Sequence, residues 1–278
     1  MLSALRFALP WWFFLCLVAP AQAGKEKPLF ELGLLGGVGY LPDYPAAGES
    51  RGNGIVLPYL AYRGEFIRSD DKGFIRGRLI HSRDLELDIS LSGSLKADSD
   101  DNDDRRGMPD LDYLAEFGPR LQWTVARAAR WAKIDLELPL RAVFSTDLSD
   151  IDHQGFLAQP EIAYQHDNFL DTGARVKLGL SAIFADEDLQ DYFYEVPVRF
   201  ATARRRTYDA DGGYLGSRLQ LSLRRPLNDR IRLLFGANLH YHGGAANEDS
   251  PLYREDLTAA AGLGLIWSFY QSDRMVEE

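Results

Sequence analysis

A two-residue repeat of apolar and polar side chains is the feature that most restricts the fold of this chain. Between residues 230 and 242 one alternate set is Ile231, Leu233, Phe235, Ala237, Leu239 and Tyr241, and most of the intervening residues are polar, basic or small. Side chains two residues apart share one face of a β-strand. A strand of about thirteen residues also exceeds the usual length in soluble proteins. The pattern therefore predicts long strands with one face suited to lipid.

The same alternation recurs in six further segments of the chain. They are residues 85–92, 113–125, 133–141, 174–184, 215–224 and 257–269. We interpret the apolar faces as directed outward to lipid and the polar faces as directed into a lumen, which is the arrangement of a membrane-spanning β-barrel. A soluble β-sandwich, with the apolar faces in its core, is the alternative.

Twelve strands are predicted, with ten or fourteen as alternatives. The segments are 29–40, 54–62, 65–69, 73–80, 84–96, 111–126, 131–144, 154–166, 171–184, 212–225, 229–242 and 255–270. The alternation is poorest in 65–69 and 73–80. Short links alternate with mostly long ones, which places the termini and the tight turns on the periplasmic side and the long loops outside. The predicted fold is an all-β, transmembrane, antiparallel up-and-down β-barrel.

The first 23 residues are predicted to be a cleaved signal peptide. An apolar run precedes Ala21-Gln22-Ala23, which has the small residues of a cleavage site. A membrane anchor is the alternative, but the run is shorter than the roughly 20 residues that a spanning helix needs. Residues 24–278 would then form a single barrel domain in the outer membrane, without cysteine because Cys16 lies in the leader.

The charge of the chain bears on its partners. The formal net charge is −10, which argues against binding to nucleic acid. In the predicted phases the acids Glu86, Asp88, Glu116, Asp135, Glu137 and Glu161 point into the lumen, as do the bases Arg175, Lys177, Arg218, Arg224, Arg230 and Arg232. Unpaired charges are costly in such an interior. We expect cross-lumen salt bridges that partly plug the barrel; a diffusion pore lined by the same charges is the alternative.

Two charged loop segments are candidate binding sites. Residues 98–104 hold five aspartates, but a calcium loop that began at Asp98 would need glycine and glutamate where Asp103 and Pro109 stand. We therefore predict no metal site, and leave open a bridging of divalent ions to lipopolysaccharide. The basic triplet Arg204, Arg205 and Arg206 could contact lipid A phosphates; a solvated loop anchored by nearby acids is the alternative.

One group of residues has side chains of the kinds found in a Ser-His-Asp triad. His240 and His242 end a predicted strand, and Asp249 and Ser250 follow in the next loop. The loop has no nucleophile-elbow pattern around the serine. We predict no catalytic residue, no cofactor and no enzymatic activity.

Several loop motifs, in order, resemble the MipA/OmpV family. They are PDYP at 42–45, VLPYLAYRGEF at 56–66, DSDDNDDRRGMPDLDYLAEFGPRL at 98–121, DYFY and RFATARR within 191–205, and EDSPLYR at 248–254. The chain differs by Glu195, where relatives usually have glycine, and by a tail after Phe269.

The resemblance implies a scaffold in the outer membrane. It would link a murein lytic transglycosylase and a murein synthase to that membrane. A surface adhesin or a restricted pore that acts through long extracellular loops is the alternative.

Overall fold

The computed structural model describes residues 26–64, 67–70 and 73–276, and side chains outside 67–81. The predicted signal peptide at 1–23 lies outside the described residues, and so does the start of the predicted strand 65–69. No helix in the described part of the chain has the length and apolar character needed to cross a membrane.

Antiparallel strands dominate the described residues. Their bounds are β1 Lys27–Pro28, β2 Phe30–Pro42, β3 Ser50–Arg63, β4 Ile67–Asp70, β5 Gly73–His81, β6 Leu85–Ser94, β7 Tyr113–Ala129, β8 Ala132–Thr146, β9 Ile151–Ala158, β10 Glu161–Phe169, β11 Ala174–Ala185, β12 Gly213–Pro226, β13 Ile231–Tyr241, β14 Leu257–Gln271 and β15 Met275–Val276. A short helix α1, Glu187–Tyr194, and a 3-10 turn, Val198–Phe200, lie between β11 and β12.

The long strands follow one another around the sheet in chain order. β9 and β10 both pair with β8 and with β11, so they form one strand position that is interrupted at Gln159 and Pro160. Proline lacks the N–H that a continuous ladder would require. Counted this way, β2 to β14 give twelve positions, and β14 pairs with β2. The predicted all-β, up-and-down barrel with about twelve strands is confirmed.

The wall is not closed over its full height. Within the described residues, β3 meets β4 in two residue pairs, Tyr62 with Ser69 and Arg63 with Arg68. In the same residues, β5 pairs with β6 no further along β6 than Asp88. Residues 50–58 of β3 and the part of β6 after Asp88 therefore have no paired strand between them in the described part of the chain, and we call this opening the lateral gap. It falls at the two strands whose alternation was poorest.

The outward face of the barrel is apolar, as the alternation predicted. On β14, Leu257, Leu263, Leu265 and Trp267 are exposed, while the intervening Ile266 is buried. A soluble sandwich would bury the exposed set, so these side chains identify the lipid face.

Exposed aromatic residues concentrate toward the two ends of the barrel. Tyr40, Tyr113 and Tyr241 lie at the end with long loops, and Trp267 and Phe269 lie at the end with tight turns. Aromatic girdles at both membrane interfaces are typical of outer-membrane barrels.

Four loops at the external end pack into one unit, which we call the cap: residues 43–49, 95–112, 186–212 and 242–256. Helix α1 begins at its N-cap Asp186, whose side chain accepts hydrogen bonds from Leu189 N (3.2 Å) and from Phe156 N on β9 (2.9 Å). Gly155 has φ of +111°, and a Cβ there would lie 2.8 Å from Leu189 N. Glycine is therefore needed for the helix to approach the strand so closely.

Candidate functional site

A ladder of ion pairs follows the inner wall from β6 to β11. Arg120 makes two contacts with Asp88, Nε–Oδ1 at 3.0 Å and Nη2–Oδ2 at 2.5 Å, and its Nη1 lies 3.6 Å from Glu137 Oε2. The amine of Lys177 lies 2.9 Å from Glu137 and 2.7 Å from Glu161. Charges of opposite sign thus alternate along the ladder, so each buried ion is compensated.

These ion pairs run along the wall between near strand positions rather than across the lumen. Asp88 and Arg120 lie directly opposite each other on the neighbouring strands β6 and β7. Lys177 on β11 reaches Glu137 on β8 past only one strand position, that of β10. Strands are about 4.8 Å apart, so a long basic side chain meets a nearby carboxylate before it reaches the far wall.

The other predicted lumenal residues have varied surroundings. Glu116 pairs with Arg141 at 3.1 Å, Asp135 with Lys133 at 2.7 Å, and Arg175 with Asp167 at 2.6 Å. Arg224 lies opposite Arg175 in the register of β11 and β12. Arg230 is exposed in the turn before β13. The side chain of Arg218 forms no ion pair or hydrogen bond with any described residue.

A second charged network lies on four neighbouring strands near the end with tight turns. Glu31 is fully buried and contacts Arg232 through Oε2 and Arg63 through Oε1, the latter at 2.7 Å. Ser268 donates to the same Glu31 Oε2 at 2.7 Å, and Arg232 donates to the hydroxyl of Tyr59 at 3.1 Å. One carboxylate thereby joins strands β2, β3, β13 and β14.

Of this network, sequence reasoning selected only Arg232. Glu31 and Arg63 stand near the ends of predicted strands, where the bounds are least certain. The available signal was the phase of Glu31, which falls on the same face of β2 as Leu35 and Gly37.

A lumenal cavity of about 650 Å³ lies beneath the cap. Part of its wall on β2, β13 and β14 is made of small residues, including Gly37, Gly236, Ala260, Gly262 and Gly264. A Cβ added at Gly236 would have no heavy atom within 4 Å. The small side chains therefore leave this side of the lumen unfilled.

The cap is held over the cavity by a buried arginine. Arg105 donates to Phe193 O at 3.1 Å, to Ser99 Oγ at 3.2 Å and to Pro109 O at 3.2 Å, and its guanidinium lies 5.7 Å from the ring centre of Tyr44. Three of the four cap loops meet at this side chain. Because it satisfies otherwise orphaned carbonyl groups inside the cap, it fixes their relative positions.

The basic triplet is divided by the structure. Arg205 is buried and donates to Phe200 O, to Asp104 O at 2.7 Å and to Arg106 O at 3.2 Å. It is therefore a structural residue of the cap, and the expected lipopolysaccharide contact does not extend to it. Arg204 and Arg206 are exposed, and Arg206 donates to Asp249 O at 2.7 Å.

The serine and histidine considered for catalysis do not pair. Ser250 Oγ donates to Tyr194 O at 2.9 Å. The ring of His242 is held by Ala46 N, Leu215 O and Thr258 Oγ1 at 3.1–3.2 Å. Ser250 therefore joins two loops of the cap, and His242 connects the cap to β12 and β14.

The acidic loop folds into the cap. Asn102 donates to Asp43 Oδ2 at 2.8 Å, Asp103 pairs with Arg106 at 2.6 Å, and Asp104 pairs with Arg254 at 3.2 Å. Its oxygens therefore face separate partners rather than one point. In the described part of the chain, no group of three or more His, Cys, Asp or Glu residues is arranged to hold a metal ion.

Comparisons with known proteins identify one family. The family model described as MltA-interacting protein MipA matches residues 33–269. No curated protein matches the sequence significantly.

Among solved structures, the NanC porin is similar at 6% identity (86% of this chain, 100% of that one, TM-score 0.38). A bacterial polysaccharide outer membrane secretin is similar at 11% identity (88% and 99%, TM-score 0.39). Outer membrane phospholipase A from Escherichia coli is similar at 12% identity (87% and 93%, TM-score 0.35). Likenesses this weak carry no argument about function.

The ladder predicts that Lys177→Met lowers the free energy of unfolding much more than Arg127→Met does. Lys177→Met leaves the charge of Glu161 without its amine, so we expect a loss of about 3–5 kcal/mol in the free energy of unfolding from lipid vesicles. Arg127→Met breaks the solvent-exposed pair with Asp84, which should cost less than about 1 kcal/mol. Urea titration followed by tryptophan fluorescence measures both. Equal, small losses would contradict the ladder.

The cap predicts a pH dependence that originates at Asp191 on α1. Burial, followed by the nearby acids Glu195 and Asp209, raises the pKa of Asp191 to about 6. Because the folded pKa lies above the unfolded one, the cap should become more stable as the pH falls from 7 through 6. Asp191→Asn should flatten this dependence, whereas Asp188→Asn on the exposed side of α1 should not. Limited proteolysis between pH 5 and 7 measures it; an unchanged dependence in Asp191→Asn would disprove the assignment.

Proposed function

Because the chain belongs to the MltA-interacting protein MipA family, we propose that this outer-membrane barrel holds murein-processing enzymes at the membrane. The family name supports a murein lytic transglycosylase as one partner, and a murein synthase would be the second. The role requires no catalysis by the barrel itself. It also requires export to the outer membrane, for which we propose that residues 1–23 are a cleaved signal peptide.

The observation that carries the proposal is an ordered platform at the periplasmic end. β1 and β15 form a separate two-stranded sheet, in which Lys27 lies opposite Val276 and Pro28 opposite Met275. Leu29 N donates to Arg274 O at 2.7 Å, and Arg63 Nη1 donates to Pro28 O at 2.6 Å. The second bond ties the platform to the Glu31 network inside the barrel.

This platform offers a way to enlarge a small docking surface. A standard interface buries about 800 Å² on each partner. The tight turns alone offer a small surface for such an interface. In the described residues β15 pairs with β1 alone, so a partner could add a strand at the other edge of β15. Met275 is 44% exposed beside it and can supply an apolar contact.

The cap favours a second candidate function, that of a surface protein such as an adhesin. Val198 is 82% exposed on the cap, and Arg204 and Arg206 lie nearby in the same loop. Such residues suit contact with lipopolysaccharide or with an external surface. We propose the lipopolysaccharide contact for these two arginines only.

One pull-down separates the two functions. Purified barrel in detergent is immobilised and incubated with a lytic transglycosylase and a murein synthase, and retained enzyme is quantified. We expect both enzymes to be retained, and Met275→Asp to weaken retention about tenfold, because it places a charge on the apolar docking edge. Val198→Asp, on the opposite end, is the matched control and should retain both enzymes fully.

The result that would overturn the scaffold function is equally clear. The scaffold function is overturned if the wild-type barrel retains neither enzyme. It is also overturned if Val198→Asp loses the enzymes while Met275→Asp retains them as the wild type does.

A further inference from the structure

The lumenal cavity has a polar belt between two apolar ends. Toward the cap it is lined by the apolar side chains of Leu114, Val143, Ile183, Leu189, Phe193 and Leu215. Toward the periplasm it is lined by Leu35, Ile55 and Leu234, which pack around Tyr59 and Ile266 above the Glu31 network. A cavity of this size and mixed lining is typical of a small-molecule site.

One cation that lines the belt has no direct ion pair among the described residues. Glu116 is paired with Arg141, and Arg51 with Asp43 at 2.6 Å. Lys96, at the rim, pairs with Asp110 at 3.0 Å. The side chain of Arg218 has neither an ion pair nor a hydrogen bond with a described residue. The charges of Glu161 and Glu116 act on it, but each of these carboxylates contacts another base, so the donors of the Arg218 guanidinium remain available to an anionic ligand.

Two buried polar atoms in the belt have no partner. They are Nε of Arg218 and Oδ1 of Asn238. Arg218 lies opposite His240 in the register of β12 and β13, and Asn238 lies two residues further along the same face of β13. Leaving a buried donor without an acceptor is unfavourable. An anionic group of a ligand would accept a hydrogen bond from Arg218.

We propose that this cavity binds an amphipathic monoanion. Its anionic head, a carboxylate or a chemically similar group, contacts the guanidinium of Arg218, and its apolar body lies against Leu35, Ile55 and Leu234. Arginine suits this role because its planar donors match a carboxylate. The proposal rests on the cavity alone and is independent of the scaffold function.

The lateral gap gives such a ligand a route from the membrane. Residues on both sides of the gap line the cavity: Asn53 and Ile55 on β3, and Ser92, Gly93 and Ser94 on β6. An unpaired strand edge cannot stay exposed to lipid unless its polar groups are satisfied. A polar head group that passes between these edges can form hydrogen bonds with them.

The test measures binding of radiolabelled decanoate to the full barrel in lipid nanodiscs by equilibrium dialysis, with empty nanodiscs subtracted. We expect saturable binding to the wild type and at least tenfold weaker binding to Arg218→Gln. Arg218→Lys keeps the charge and should recover most of the affinity. Arg225→Gln removes an exposed arginine from the same strand and should bind as the wild type does.

A second variant tests the cavity without changing its charge. Gly236→Leu places a side chain in the open space of the cavity and should weaken the binding of decanoate and of neutral decanol alike. Arg218→Gln should weaken the binding of decanoate only. Decyltrimethylammonium, a cation of similar size, should not bind. Folding of each variant is checked by its heat-modifiable mobility in detergent gels.

The source of the natural ligand follows from two further probes. Hexadecanoate is delivered from the bilayer and 4-phenylbutanoate from water. If hexadecanoate binds more tightly of the two, the natural ligand is a lipid-derived anion; if 4-phenylbutanoate does, it is a soluble one. The proposal is overturned if decanoate shows no saturable binding to the wild type. It is also overturned if Arg218→Gln binds decanoate as well as the wild type does, or if the cation binds as well as the anion.

Discussion

The exclusion of water from the outer surface of the barrel is the constraint on which the rest of the structure depends. A strand that spans lipid can carry polar side chains only on its inward face, and all its backbone groups must be paired within the protein. Charges that a soluble protein would place in water are therefore collected inside. Once there, each must find a partner of opposite sign, because an isolated ion in such an interior costs several kcal/mol.

Three features of the lumen follow from that constraint. The ladder around Arg120 and Lys177 neutralises one side of the wall, and the network around Glu31 joins the two ends of the chain near the periplasm. Small residues on β2, β13 and β14 leave the remaining side open as a cavity. The cap then covers this cavity from outside, with Arg105 and Arg205 using their donors on carbonyl groups of neighbouring loops.

The strand pattern could be predicted from the sequence because the alternation is set by one physical requirement that acts on every strand. The ion-pair partners of the inward charges could not be predicted, because they depend on the register between strands. Asp88 contacts Arg120 because the two residues lie directly opposite each other. Lys177 lies opposite Gln165 in the register, and its long side chain reaches Glu161, four residues from Gln165 on the same strand.

The structural role of Arg205 could not be predicted from the sequence either. A run of three arginines has the same sequence signature whether a middle member is solvated or buried under carbonyl groups. The lateral gap coincided with the weakest alternation, at residues 65–80, but weak alternation alone does not distinguish a short hairpin from a full strand.

The central claim is that the lumen is a capped, internally paired compartment rather than an open channel. Planar-bilayer recording from the purified barrel tests it most directly. A capped compartment predicts no steady conductance steps at moderate salt and voltage. Steady, reproducible steps from the wild-type protein would contradict it.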